Sequence, residues 1–183
     1  DTGESLGQLR LDSGSTWSGP ITLAGTITGT SDAFIGTNSG VGTISGNIGE
    51  SGGAKNLSKA GNGTTQLSGN TSHTGGTSVL AGTLQISGAG TMQSGNYPGA
   101  ISLATGSFLR HSSSANQILS GVISGVGGLT KDTSATSTLT LRAANTFTGA
   151  TTVSAGPLAL DYASSNGSKL ADAPALVLGS GTL

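Results

Sequence analysis

The chain has 183 residues and a formal net charge of -1, and only 8% of its residues are charged, compared with about 25% in an average soluble domain. Its seven Lys and Arg residues are scattered, which argues against nucleic acid or an anionic membrane as a partner, and it has no cysteine for disulfides or thiolate metal sites. No apolar run reaches the length of a membrane span, so we expect no membrane insertion by this segment. Because Gly, Ser and Thr are abundant, a disordered stalk is the first alternative to a folded structure.

Short runs in which apolar and polar residues alternate predict β-strands along the chain. In chain order, the inward pairs of these runs are Leu9 and Leu11, Ile21 and Leu23, Val79 and Ala81, Leu84 and Ile86, Ile101 and Leu103, Leu139 and Leu141, Val153 and Ala155, Leu158 and Leu160, and Leu176 and Leu178. Gly82 and the Gly156-Pro157 pair interrupt two of the runs and predict corners, because Gly tolerates positive φ and Pro lacks a ladder donor. No segment has a helical stripe, so the pattern predicts an all-β fold without significant helix.

Two stretches of the sequence are copies of each other. The segment "HTGGTSVLAGTLQIS" (73–87) recurs as "FTGATTVSAGPLALD" (147–161), and "ISGNIGESGGAKNLSK" (44–59) recurs as "LSGVISGVGGLTK" (119–131). A weaker copy begins at Trp17. We therefore expect one continuous domain over 1–183 with repeat units of approximately 1–43 (partial), 44–118 and 119–183 (partial), cut from a longer array.

Such repetition favours a β-solenoid over a sandwich or a closed barrel, because repeated units can stack on one another. Parallel connections are almost always right-handed, so we predict a single right-handed parallel β-helix. Coils of about 20 to 25 residues at the usual strand spacing give about eight coils and a rod of about 40 Å. A narrow interior filled with small aliphatic side chains also accounts for the few aromatic and charged residues.

The residues of 57–87 and 129–161 resemble the autotransporter-associated β-strand repeat, also called the passenger-associated transport repeat. In both copies a Lys is followed by a strand, then by a segment that reads N-T-x-x-T-G-x-T in the first copy and N-T-x-T-G-x-T in the second, and by an A-G-x-L corner. The second copy departs from the pattern at "DTSAT" (132–136), and His73 and Pro157 replace the usual Tyr and Thr. The resemblance implies a β-helix within a large secreted or surface-displayed bacterial protein, often the passenger of an autotransporter.

Few residues are candidates for catalysis, and we predict no catalytic, cofactor-binding or metal-binding residue and no enzyme activity. His73 occupies the place of Phe147 in the other copy, which predicts a packing role. His111 is followed by three serines, but the nearest carboxylate, Asp132, is about one coil away, so we interpret it as a solvated loop residue and not as part of a Ser-His-Asp triad. Ser51 lies in "GESGG" (49–53), which matches the nucleophile-elbow pattern, but such matches arise by chance in a chain this rich in Gly and Ser.

The leading functional prediction is a structural or adhesive solenoid segment at the bacterial cell surface or outside the cell, acting as a rigid spacer or a self-associating surface. The expected partners are neighbouring repeats of the same polypeptide, further copies stacked end to end, and host or surface glycans. The alternatives are a glycan-binding solenoid, with ice binding less favoured because the T-x-T triplets are irregularly spaced, and a remnant of a β-helix carbohydrate-active enzyme.

Overall fold

The computed structural model describes residues 8–24, 32–133, 136–163, 165–170 and 175–179, with the side chain of residue 32 left out. These residues form 22 short β-strands and one 3₁₀ turn at Gln93–Gly95, and every strand pair is parallel. The strands stack into a β-solenoid of about seven turns. The predicted all-β solenoid is confirmed, and its length is close to the eight coils that the sequence predicted.

Each coil contributes strands to three faces, and the strands are numbered in chain order. Face A contains β1 (Leu9–Leu11), β4 (Asp32–Thr37), β7 (Asn56–Ala60), β10 (Thr77–Val79), β14 (Ile101–Leu103) and β17 (Ile123–Gly125). Face B contains β2 (Thr16–Trp17), β5 (Val41–Ile44), β8 (Thr64–Leu67), β11 (Thr83–Gly88), β15 (Phe108–Ser113), β18 (Gly128–Lys131), β20 (Thr151–Val153) and β22 (Leu176–Leu178). Face C contains β3 (Ile21–Leu23), β6 (Ile48–Glu50), β9 (Asn70–Thr71), β12 (Thr91–Met92), β13 (Asn96–Tyr97), β16 (Gln117–Leu119), β19 (Leu139–Leu141) and β21 (Leu158–Leu160).

Successive coils pair residue by residue, so inward side chains form columns along the axis. Paired residues are 19 positions apart at Thr64 and Thr83 and 27 apart at Ile21 and Ile48, a range that contains the predicted coil length. The predicted inward residues Val79, Leu84 and Ile86 are all buried, whereas Ala81 lies in the corner after β10 and is only half-buried. The alternation therefore located the core columns, and it extended too far at two equivalent corners, since Ala155 after β20 is also only half-buried.

Face C is divided into two four-stranded sheets where the chain makes the 3₁₀ turn between β12 and β13. Buried Gln117 bridges this break, because its Oε1 accepts the Met92 N–H at 2.8 Å and its Nε2 donates to the Met92 carbonyl at 3.1 Å. The side-chain amide thus provides the donor and the acceptor that a neighbouring strand provides elsewhere. The turn shifts the register of face C without leaving the Met92 backbone unpaired.

The two sequence copies do not lie on the same face. Leu57 and Val79 belong to face A, whereas their counterparts Leu129 and Val153 belong to face B. In the same way, Leu84 lies on face B and its counterpart Leu158 lies on face C. The second copy therefore follows the first by three coils and one further face. The partial copy that begins at Trp17 extends into residues 25–31, which lie outside the described residues.

Glycines line the three corners because successive coils approach each other closely there. The corner columns include Gly40, Gly63 and Gly82 between faces A and B, Gly19, Gly46 and Gly69 between faces B and C, and Gly75, Gly99 and Gly121 between faces C and A. In each column after its first member, an added Cβ would meet the carbonyl oxygen of the preceding glycine at less than 3.0 Å. Backbone atoms cannot move aside as a flexible side chain can, so these positions exclude every other residue.

We expect Gly121→Ala to lower the free energy of unfolding by roughly 3 kcal/mol, because the new Cβ would overlap the Gly99 carbonyl and force the coils apart. Gly49→Ala is the matched control, since the nearest atom to its added Cβ is Ser72 Oγ at 3.7 Å. Urea denaturation of both variants measures the difference. Equal stability of the two variants would contradict the close approach of the coils at this corner.

Candidate functional site

Three lysine side chains lie inside the solenoid, although the sequence suggests a purely aliphatic interior. Lys59, Lys131 and Lys169 are almost completely buried. An unpaired ammonium group in an apolar interior is strongly unfavourable, so each of these groups needs hydrogen-bond acceptors nearby.

Lys59 finds these acceptors in the corner between faces A and B. Its Nζ donates to the carbonyl oxygens of Gly61 at 2.5 Å, Gly63 at 2.6 Å and Ala81 at 2.9 Å. Two of these carbonyls belong to its own coil and the third belongs to the next coil. Burial lowers the pKa of Lys59 to about 8, so the ammonium form with three N–H donors predominates at pH 7. Lys59 therefore ties two successive corners together.

Lys131, the counterpart of Lys59, fulfils a similar role one face further on. Its Nζ donates to the Thr133 carbonyl at 3.0 Å and lies 3.4 Å from the Asp132 carbonyl and from Ser137 Oγ. Ser137 Oγ donates in turn to the Ser113 carbonyl of the preceding coil at 2.6 Å. The lysine shared by both sequence copies is thus a corner-stabilising residue in each of them.

His73 is buried in a hydrogen-bonded cluster, in keeping with the predicted packing role. Its Nε2 lies 2.9 Å from Thr77 Oγ1 and 3.0 Å from Tyr97 Oη, and the Tyr97 hydroxyl donates to the Gly75 carbonyl at 2.6 Å. Burial lowers the pKa of His73 to about 4 and raises the pKa of Tyr97 to about 12. Both groups are therefore neutral at pH 7. The chain brings polar groups together here, but it seals them from solvent.

Glu50 lies beside this cluster at the surface. Burial acts to raise its pKa, but hydrogen bonds from the Thr74 side chain and from the Thr74 and Lys55 backbone outweigh this and lower it. Thr74 Oγ1 donates to Glu50 Oε1 at 2.5 Å, and the Lys55 N–H donates to Oε2 at 2.8 Å. One carboxylate oxygen thus holds the loop that connects β6 and β7, and the other holds the loop of the next coil, between β9 and β10.

The interpretation of His111 as a solvated loop residue is wrong. It lies in β15 and points inward, where only 2% of its surface is exposed, and both ring nitrogens are buried without a hydrogen-bond partner. It stacks in register between Ile86 of β11 and Lys131 of β18. Burial lowers the pKa of His111 to about 4, and the positive charge of Lys131 acts in the same direction. The alternation along Leu109, Arg110 and His111 indicates this inward direction, because His111 lies two residues after the inward Leu109.

The serine and the carboxylate of the possible triad, Ser112 and Asp132, contact each other, but His111 does not contact either of them through a hydrogen bond. Ser112 Oγ donates to Asp132 Oδ1, and Arg110 Nε lies 2.9 Å from Asp132 Oδ2. Arg110 and Ser112 project from the outer surface of β15, whereas His111 lies between them and projects inward. The serine and the histidine are therefore on opposite sides of the sheet, and this arrangement cannot relay a proton from Ser112 to His111.

Ser51 lies where the sequence predicts it, in a glycine-rich turn directly after β6. It is exposed and precedes Gly52 and Gly53, which both have positive φ. A nucleophile elbow requires a strand followed by a helix, and the next element here is strand β7. The described part of the chain contains no cluster of three or more His, Cys, Asp or Glu side chains that could hold a metal ion.

Polar side chains on the outer surface form ladders from coil to coil. On face B, Thr43 Oγ1 donates to Gln66 Oε1 and Gln66 Nε2 donates to Gln85 Oε1, both at 3.3 Å. Face A has a serine column, in which Ser102 Oγ donates to Ser78 Oγ at 2.9 Å. These ladders give the solenoid a regular hydroxyl and amide surface.

Comparison with known proteins supports the resemblance found in the sequence. Residues 57–86 and 136–160 match the family model of the passenger-associated-transport-repeat. The second match begins at the last residue of the divergent segment 132–136, and so leaves out Lys131. No curated protein and no solved structure gives a significant match. Within the residues that the structure describes, no helix is long and apolar enough to cross a membrane.

Proposed function

We propose that this chain, in which two passenger-associated transport repeats build a parallel β-solenoid, is a rigid structural segment of a secreted or surface-displayed bacterial protein. The observation that carries the proposal is the continuity of the backbone ladder. Face B alone joins eight strands in parallel register from β2 to β22. About seven turns at the usual strand spacing give a rod of about 35 Å.

The interior supports a structural role better than a catalytic one. The titratable groups inside the described coils include lysines that bind backbone carbonyls, and two histidines and Tyr97 that are sealed from solvent. The serine and carboxylate that come together, Ser112 and Asp132, are already paired with each other and with Arg110. We therefore propose that the segment is not an enzyme and requires no cofactor.

Small-angle X-ray scattering combined with limited proteolysis tests the structural proposal. We expect the scattering profile of a short rigid rod, a β-rich circular dichroism spectrum, and cleavage confined to the ends and a few corners. The profile of a flexible chain with cleavage throughout would support the disordered stalk and refute the rigid segment.

Self-association by end-to-end stacking is part of the proposal. Strand β22 exposes Leu176, Val177 and Leu178, and Trp17 of β2 is exposed near the other end of the same face. Parallel strands of a second copy could continue face B in the same direction. Sedimentation velocity over a range of concentrations tests this, with Val177→Lys as the variant that should remain monomeric.

Glycan binding is the second candidate function, and the outer ladder of face B favours it. Thr43, Gln66 and Gln85 hold one another in fixed orientation, so a ligand that contacts them would order few side chains on binding.

A further inference from the structure

The centre of face B carries an exposed aromatic ring. Phe108 is the first residue of β15 and is 45% exposed. In register it lies between Thr83 of β11 and Gly128 of β18. Single exposed apolar side chains are common on protein surfaces, so the setting of this ring decides whether it has a role.

The ring packs beside Gly128 of the next coil. A Cβ atom at Gly128 would lie only 2.9 Å from Phe108 Cδ1 and 3.0 Å from Cε1. The ring therefore occupies the space that a side chain at residue 128 would fill, and the absence of that side chain is what permits its position. Nearly half of the Phe108 surface nevertheless remains accessible to solvent.

Polar groups that are already fixed lie on the same outward side of β15 as the ring. Two residues along the strand, Arg110 is held by Asp132 of the next coil at 2.9 Å, and Ser112 donates to the same carboxylate. Gln85, which precedes Arg110 in the outward column, is only 9% exposed and is not part of this surface. We call Phe108, Arg110 and Asp132 the Phe108 platform. It combines hydrogen-bond donors and acceptors, and its two charges cancel.

The chemistry of the platform narrows the partner. Cancelled charges give no preference for an anionic or a cationic ligand, and one aromatic ring among polar groups is a small apolar patch for a protein partner. A neutral pyranose fits, because one side of its ring is apolar and each of its hydroxyls can both donate and accept a hydrogen bond. We propose that the Phe108 platform binds a neutral glycan, with a sugar ring stacked on Phe108 and its hydroxyls bonded to Arg110 and Asp132.

This inference deepens the second candidate function and does not depend on the structural one. Scattering by the unliganded protein tests the rigid rod, whereas ligand binding tests the platform, so the two can fail separately.

The experiment uses an array of neutral and acidic oligosaccharides, followed by isothermal titration with the neutral oligosaccharide that gives the strongest signal. We expect the wild-type chain to bind neutral oligosaccharides and Phe108→Ala to bind at least tenfold more weakly. Leu80→Ala is the matched control, because Leu80 is 47% exposed at a corner outside the platform, and it should bind like the wild type. Thermal unfolding of each variant shows that the fold is retained.

A second variant reports contact directly. Phe108→Trp in a Trp17→Phe background contains a single tryptophan, located in the platform, and its emission should shift when the sugar stacks on it. Three results would each overturn the proposal: no neutral oligosaccharide on the array binds, Phe108→Ala binds as well as Leu80→Ala, or the tryptophan emission stays constant at saturating ligand.

Discussion

Lowering the pH from 7 to 4 is expected to reduce the free energy of unfolding by about 6 kcal/mol, with about 3 kcal/mol from each buried histidine. The pKa of His73 and the pKa of His111 are each lowered to about 4 in the folded chain, mainly by burial, from the ordinary histidine value of 6.5. Between these pH values the unfolded chain binds more protons than the folded one. The stabilisation is therefore fully present above pH 6.5 and is lost as the pH falls towards 4.

The surroundings of the two histidines differ, and this difference should decide where the chain opens first. Glu50 lies near His73 and favours its protonated form, whereas Lys131 stacks on His111 and opposes protonation, with Asp132 compensating in part. Neither ring nitrogen of His111 has a hydrogen-bond partner among the described residues, and the Asp132 carboxylate is already paired with Arg110. We expect the coils that contain β15 and β18 to open first.

The control is the double variant His73→Phe with His111→Leu. Phenylalanine is suited to position 73 because Phe147 is fully buried at the equivalent position of the second copy. Thr77 Oγ1 and Tyr97 Oη remain paired with each other at 2.8 Å when the imidazole is absent. Chemical denaturation at several pH values should give this variant a nearly constant stability from pH 6.5 to 5, whereas the wild type loses stability. A wild-type profile as flat as that of the variant would contradict the buried positions of both histidines.

Replacing Lys59 by methionine is expected to lower the free energy of unfolding by about 4 kcal/mol. Methionine matches the volume of the lysine stem but leaves three carbonyl oxygens, those of Gly61, Gly63 and Ala81, without their donor. Each buried acceptor that loses its partner carries a desolvation cost. The loss arises at a corner that joins two coils, so local opening should extend to both.

Lys55→Met is the matched control for this variant. Lys55 is also buried, but its Nζ makes one longer hydrogen bond, to the Gly52 carbonyl at 3.3 Å, so we expect a loss of about 1 kcal/mol or less. Denaturation curves give the stabilities, and amide hydrogen exchange at residues 61–63 and 81–82 locates the opening. If both variants are equally stable, the carbonyl cluster around Lys59 does not contribute as proposed.

Much of the fold could be predicted from sequence because alternation and repetition report directly on stacked strands. Leu9 and Leu11, Ile101 and Leu103, and the other predicted pairs lie in strands of the structure, except that Ala81 and Ala155 lie in the corners that follow β10 and β20. Gly82, predicted to form a corner, has φ of 62° at the turn between faces A and B. These features depend on local backbone geometry, which a single coil already determines.

The environment of the charged residues was harder to predict. Leu57, Ser58 and Lys59 alternate in the same way as any strand of the core, and the alternation places Lys59 inside. The expectation that charged side chains face solvent conflicts with this pattern, and only the position of the corner carbonyls resolves the conflict. His111 was misplaced for the same reason, since its inward position depends on Leu109 being buried two residues earlier.

The displacement of the second copy by one face has a consequence for any molecule that is assembled from such units. A whole number of coils would leave the outward direction of each unit unchanged, but three coils and one face turn it by about a third of a revolution around the axis. Adding or removing one unit would therefore rotate every following segment by about a third of a turn around the axis. Three units would be needed to restore the original orientation. The number of repeats therefore sets the orientation of the downstream part around the solenoid axis, as well as the length of the solenoid.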